Sequence, residues 1–441
     1  MPVNVVDLGA DNTGTLDATG AFQAALDQAG TRGATVFAPA GTYKIAGSLQ
    51  VPSFVTLEGE WKAPAYWAQG VPDIGTVLHA YAGRGNVDGP PFITLAGHAA
   101  GVKGLAIRYP LQGETFARER PRPAGVHSYP PTIRGGVPTP DDDFFDNLSV
   151  QDCLLVNPYS AVDFATHRCG RHFIRGLYGQ PLRTGIQVDG CLDVGRIEDV
   201  HFWPFWRDTP EMKAYTGREG FAIVLRRSDW QIVHNVVLLG YHVGILFGHG
   251  LHVTTPEEDP TRARHFPDGC NGQFSNINID VGDVGLDIYN TSGAGINFAN
   301  LNVACTNNFD HTIRRAIWAH PLDPSERGRD ANQISALNIV NGSFWGGSHQ
   351  MILWERGGPL QVSNSLFRNW EPGEAAIRVA GGRALISGNT FLFDGGDNMK
   401  AGPRTAVEVG PDAEGAIIMG NDLNGLPLDV RPSTVVAHNL A

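Results

Sequence analysis

A short apolar strand recurs along this chain, beginning at Ala161, Gly185, Gly220, Gly244, Gly285, Ala316, Ile352, Ala376 and Ala406, with successive starts 24 to 41 residues apart. Such spacing suits one coil of about 22–25 residues carrying loops of variable length. Between these strands lie partner strands at 274–279, 334–339 and 385–391, in which apolar and polar residues alternate. Strands that stack around a packed interior need this alternation. A coil cannot bury its apolar side alone, so successive coils must stack into a solenoid. The expected fold is all-β, a single-stranded parallel β-helix. It takes residues 1–441 as one domain, with 1–60 forming a cap and first coils and 61–441 the further coils.

The first coil of a solenoid exposes both its core and its strand edges, so it needs a cover. Residues 3–60 supply one. A strand at 3–7 leads through Gly9 and Gly14 to Asp17 or Thr19, either of which is suited to capping a helix. The helix carries Ala21, Phe22, Ala25 and Leu26 on one apolar face and stops at Gly30. Short strands follow at 34–38, 49–51 and 55–59, punctuated by Pro39, Gly41 and Pro52. This order resembles the N-terminal signature of the pectate-lyase-like superfamily. That superfamily includes polygalacturonase-related hydrolases, polyuronate lyases, fructotransferases and tailspike depolymerases. The resemblance covers about 60 residues and implies a right-handed β-helix with a capping helix. It also implies a poly- or oligosaccharide substrate, and it admits a homotrimer.

Charge narrows the partners. The net charge is -12, and the 33 basic residues comprise 28 Arg and 5 Lys. An acidic surface repels nucleic acid and anionic membrane, so neither is an expected partner. No apolar run reaches the roughly 18 residues of a membrane-spanning helix. The N-terminus lacks a basic segment followed by an apolar one, so no signal peptide is read here and the compartment stays open. Five cysteines, at 153, 169, 191, 270 and 305, contain no Cys-x-x-Cys pair and are expected as buried free thiols rather than a metal site.

Long insertions at 60–90, 109–146, 206–219, 249–272 and 319–333 are expected to wall a groove along one sheet. Trp203 and Trp206 are candidate platforms for sugar rings, since indole stacks on the apolar face of a ring while its N–H stays available. Leu286 and Ile288 point inward, so Asp287 between them points out of the sheet. Asp283 precedes the same strand, Tyr241 and His242 precede the one before it, and Arg218 and Glu219 an earlier one. Arg183 precedes the strand before that. If these strands share a sheet, Arg183, Arg218, Glu219, His242, Asp283 and Asp287 form one polar ladder, with Tyr241 beside it as a further substrate-binding candidate. Asp283, Asp287 and Glu219 are then the candidate catalytic carboxylates, with the other ladder residues binding substrate. Strands about 4.8 Å apart bring carboxylates on neighbouring coils into the range glycosidases use.

The sequence Gly248-His249-Gly250 matches one polygalacturonase motif, but the Asp-containing and Arg-Ile-Lys motifs that accompany it in that family are missing. Three readings therefore stand. A glycoside hydrolase releases reducing ends and needs no cofactor. A polyuronate lyase acting by β-elimination uses Arg183, Arg218 or Ca²⁺ to neutralise the uronate. A fructotransferase-like or tailspike-type trimer either transfers a glycosyl group within one sugar or binds glycan without turnover. Asp141, Asp142 and Asp143 form an acidic loop expected to be solvated, and Glu355 and Arg356 an exposed pair near a coil end.

Overall fold

The computed structural model describes residues 2–63, 74–112, 126–139, 144–203, 209–251, 269–306, 313–321, 336–395 and 400–440. The chain is a right-handed parallel β-helix and divides into two compact units, Met1–Val224 and Leu225–Ala441. All nine recurrences read from the sequence are strands.

In the first unit, Leu49–Val51, Ile93–Leu95, Ile133–Gly135, Ser160–Phe164 and Thr184–Val188 pair in that order, all parallel. Their register stacks Leu49, Ile93, Ile133, Val162 and Ile186 in one fully buried column. The cap is α1, Thr19–Gly30, which buries Phe22, Ala25, Leu26 and Ala29. Phe22 meets Tyr43 edge-on at 5.0 Å. Ala18 occupies the N-cap position, where the sequence suggested Asp17 or Thr19. Asp17 works beside it, accepting from the Thr19 and Ala46 N–H groups and so tying the helix start to the strand below. Gly104 turns at φ 66°, and a Cβ there would collide with the Gly59 carbonyl of the preceding coil.

The second unit repeats the plan with Val243–Phe247, Val284–Ile288, Arg315–Ala319, Ile352–Trp354, Ala375–Val379 and Thr405–Val409. Here Ile245, Leu286, Ile317, Ile352, Ile377 and Val407 form the buried column. A second sheet closes each coil. Its long strands Ser228–Leu239, Cys270–Asp280 and Thr291–Ala304 contain Asn235, Asn276 and Asn300 at φ 54°, 54° and 59°. Asn tolerates this left-handed conformation, and the three amides bond from coil to coil at 3.0 and 2.9 Å. In-register stacking also repeats aromatics inside the coils: Phe367 lies between Phe344 at 4.8 Å and Phe391 at 5.1 Å.

All five cysteines are buried and free. No helix among the described residues is long and apolar enough to cross a membrane. The 206–219 insertion contains a helix the sequence reading missed: α2, Pro210–Glu219, started by Pro210 and by Thr209 accepting from the Met212 N–H at 3.2 Å.

Candidate active site

The alternation that turns Leu286 and Ile288 inward turns Asp287 outward, and both aliphatic neighbours are fully buried. Stacking then decides what Asp287 meets. Its register partners are Leu246 on the preceding coil and Trp318 on the next, followed by Leu353, Arg378 and Glu408. One step along the chain, the register that aligns Ile288, Ala319 and Trp354 aligns Tyr289, His320 and Glu355. Two columns thus stand side by side at the end of this sheet.

Their side chains interlock. Asp287 Oδ1 lies 2.7 Å from His320 Nε2. The His320 ring stacks on Tyr289 at 4.0 Å and 10° and lies 4.1 Å from Trp318. Trp318 donates its indole N–H to Glu355 Oε2 at 2.9 Å. Two carboxylates therefore flank an aromatic platform, each bound to one of its rings. Burial and the Asp287 charge raise the Tyr289 phenol above its ordinary pKa, although its side chain is the most open of the group.

A cation completes the cluster. The Arg315 guanidinium lies 4.2 Å from the centre of the Trp318 ring, and its Nε donates to Gln350 Oε1 at 3.0 Å. Gln350 in turn donates to Glu374. Burial lowers the Arg315 pKa, opposed by Glu355 and Glu374. Its Nη1 is buried and finds no hydrogen-bond partner among the described residues. Among the described residues, no group of three or more His, Cys, Asp or Glu gathers to hold a metal ion. Asp141, Asp142 and Asp143 lie outside the described residues.

The ladder expected from the sequence is redistributed. Asp283 is fully buried and bonded to His242 Nδ1 at 2.8 Å, whereas Asp287 is nearly buried, at 6% exposure. It lies four residues before Asp287, about 13 Å along the strand direction, and is not part of the interlocked cluster. Tyr241 is buried rather than groove-lining. Arg218 and Glu219 end α2 and so precede the strand Phe221–Leu225 from a helix end. The Glu219 carbonyl, not its carboxylate, accepts from Arg183, whose guanidinium lies 4.9 Å from the Phe221 ring. Trp203 covers an apolar cluster of Trp61, Val77, Ala106, Leu154 and Val156. Trp206 lies outside the described residues.

Of the expected site residues, Asp287 alone belongs to the interlocked cluster. The sequence reading missed Tyr289, Arg315, Trp318, His320 and the role of Glu355. The signal for Trp318 was present: Ile317 and Ala319 point inward, so the rule applied to Asp287 also exposes Trp318. Glu355 and Arg356 are not an exposed pair, since Arg356 is buried and donates to Asn290 Oδ1 at 3.4 Å.

Residues 2–77 match the family model described as rhamnogalacturonase A/epimerase, pectate lyase-like. Comparison with curated proteins finds no match. Among solved structures, the A-module of the mannuronan C-5 epimerase AlgE6 of Azotobacter vinelandii is similar at 14% identity and TM-score 0.50, over 99% of each chain. The DFA-IIIase of Arthrobacter chlorophenolicus A6, in complex with DFA-III, is 12% identical with TM-score 0.54, over 98% of this chain and 97% of that one. Pre-mature gene product 12 of bacteriophage phi29 is 12% identical with TM-score 0.55, over 96% of this chain and 52% of that one. The first coils thus match that family model, and the chain as a whole has the right-handed parallel β-helix fold.

Proposed function

We propose that this protein acts on a carbohydrate polymer or oligomer and hydrolyses its glycosidic bonds, with Asp287 and Glu355 as the working carboxylates. The observation that carries this reading is the pair of carboxylates held on either side of the Trp318–His320 platform. Glycoside hydrolysis needs one carboxyl group to protonate the leaving oxygen and another to activate water or attack the sugar. In this reading the sugar lies against the exposed Tyr289 side of the cluster, with its glycosidic oxygen between the two carboxyl groups. The names of similar proteins support a carbohydrate substrate, as they include a mannuronan epimerase and a DFA-IIIase. A panel of neutral and acidic glycans, assayed together for reducing ends and for the ultraviolet absorbance of unsaturated uronides, tests it. Hydrolysis yields reducing ends without that absorbance, and release of neither product from any glycan refutes the reading.

A second reading rests on Arg315. A buried guanidinium nitrogen without a partner, beside an aromatic platform, suits a uronate carboxylate. In that reading Arg315 neutralises the uronate, His320 steadied by Asp287 removes the adjacent proton, and Tyr289 protonates the leaving oxygen. The ring then gains a double bond as the glycosidic bond breaks, so the same panel shows the absorbance and separates the two reactions.

A further inference from the structure

The second sheet of the Leu225–Ala441 unit carries a groove of its own. It has a volume of about 390 Å³ and lies on the outward faces of strands Cys270–Asp280, Thr291–Ala304, Leu337–Val340 and Pro359–Ser363. Parallel register places Gln273, Asn297, Asn338 and Gln361 in one column across these four coils. Aliphatic residues bracket the column, Ile232 before it and Leu385 then Ile417 after it. The amides are thus confined to the rungs that line the groove.

A second column runs two residues along, where the side chains again face outward. It reads Ser275, Ala299, Val340 and Ser363. The small Ala299 creates the depression, and Val340 presents an exposed apolar surface beside it. One wall therefore carries planar amides and the other a small apolar floor with a hydroxyl at each end. No charged residue is among the described residues lining the groove.

The amides are partly spent and partly available. Asn338 donates to Asn297 Oδ1 at 2.6 Å, and Asn297 donates to the Gly272 carbonyl at 3.3 Å. These bonds orient the two central amides. Gln273 and Gln361 at the ends are exposed. Each amide offers two N–H donors and a carbonyl acceptor, a set that matches neighbouring hydroxyl groups. Coils repeat at about 4.8 Å, comparable to the advance of one sugar unit along an extended chain.

We propose that this groove is a second, non-catalytic site that binds a neutral oligosaccharide, its ring faces on Ala299 and Val340 and its hydroxyls on the amide column. The absence of charge in the lining selects neutral sugar over uronate. Binding here requires no turnover, so it stands or falls independently of the roles of Asp287 and Glu355.

The test uses the full chain carrying Asp287→Asn and Glu355→Gln, to suppress turnover, and calorimetric titration with maltohexaose, cellohexaose, laminarihexaose, mannohexaose and hexagalacturonate. At least one neutral hexasaccharide is expected to bind. Ala299→Trp, which fills the depression, and Asn338→Ala, which breaks the amide relay, are each expected to weaken it at least tenfold with unchanged thermal melting. Trp318→Ala is expected to leave that affinity within twofold. The proposal is overturned by binding of none of the neutral probes, or by equal binding to the groove variants. A change of assembly mass on Ala299→Trp also overturns it, because the face is then an interface between copies of the chain.

Discussion

Replacing Asp287 by Asn and Glu355 by Gln removes one carboxylate at a time without changing side-chain shape. Glu355→Gln keeps an oxygen for the Trp318 indole N–H, and Asp287→Asn keeps one for His320, so both variants should retain the wild-type fold. The carboxylates stand two coils apart and two residues out of register, which at ~4.8 Å per strand and ~3.3 Å per residue is about 12 Å between their backbones. Side chains leaning toward each other close that span to the roughly 6.5–9.5 Å between the carboxyl groups of inverting glycosidases more readily than to the ~5.5 Å of retaining ones. General acid or base catalysis contributes about 10²–10⁴-fold, or about 3–5 kcal/mol of barrier. Each single variant is therefore expected to lose that much kcat on the glycan identified by the panel. NMR of the first-formed product is expected to show inverted anomeric configuration. On a substrate with a good leaving group, the variant lacking the acid recovers rate, since no proton need be supplied, and the variant lacking the base does not. Retention of configuration, or losses below threefold in both variants with intact folding, refutes the assignment.

Three predictions concern what holds the coils together. Asn421 is buried, accepts from the Asn389 backbone and side chain and donates to Ile386 and Asn439, so Asn421→Ala should cost about 2–4 kcal/mol in urea unfolding; a cost below 1 kcal/mol would show that these coil-to-coil bonds are dispensable. Phe367→Ala removes the middle ring of the Phe344–Phe367–Phe391 stack and should cost about 3–5 kcal/mol by the same measurement, against a smaller loss for Phe367→Leu. Burial, with a smaller contribution from Arg196, pushes His172 down from 6.5 to about 4, against the Cys169 carbonyl, which favours the charged form. The unfolded chain then binds the proton first as pH falls, so this stabilisation is complete above about pH 6.5 and is lost as pH drops through 4. About 3 kcal/mol is at stake. Urea midpoints at pH 7 and pH 4.5 measure it, and a His172→Gln variant with the same pH slope as wild type would remove His172 as the cause.

The strand recurrence and the capped N-terminus made the solenoid legible, because a periodic apolar pattern has few ways to bury itself. The outward direction of Asp287 was legible for a similar reason: side chains alternate along a strand by local stereochemistry, and Leu286 and Ile288 settle the phase. Its partners were not legible. Which residue of the next coil lies beside Asp287 depends on how many residues each turn absorbs, and the starts are unevenly spaced at 24 to 41 residues. Ordering candidates by their position before each strand grouped Asp283, His242, Glu219 and Arg183, whereas the folded turns bury Asp283 and Tyr241 and wind Arg218 and Glu219 into the end of α2. The sequence by itself determined the repeating coil, its inward and outward faces and the cap that begins it, since these follow from contacts close along the chain. Only the tertiary structure decided that Asp287 meets His320 and that Glu355 joins them through Trp318, because register between coils is set by packing across turns whose lengths carry no period.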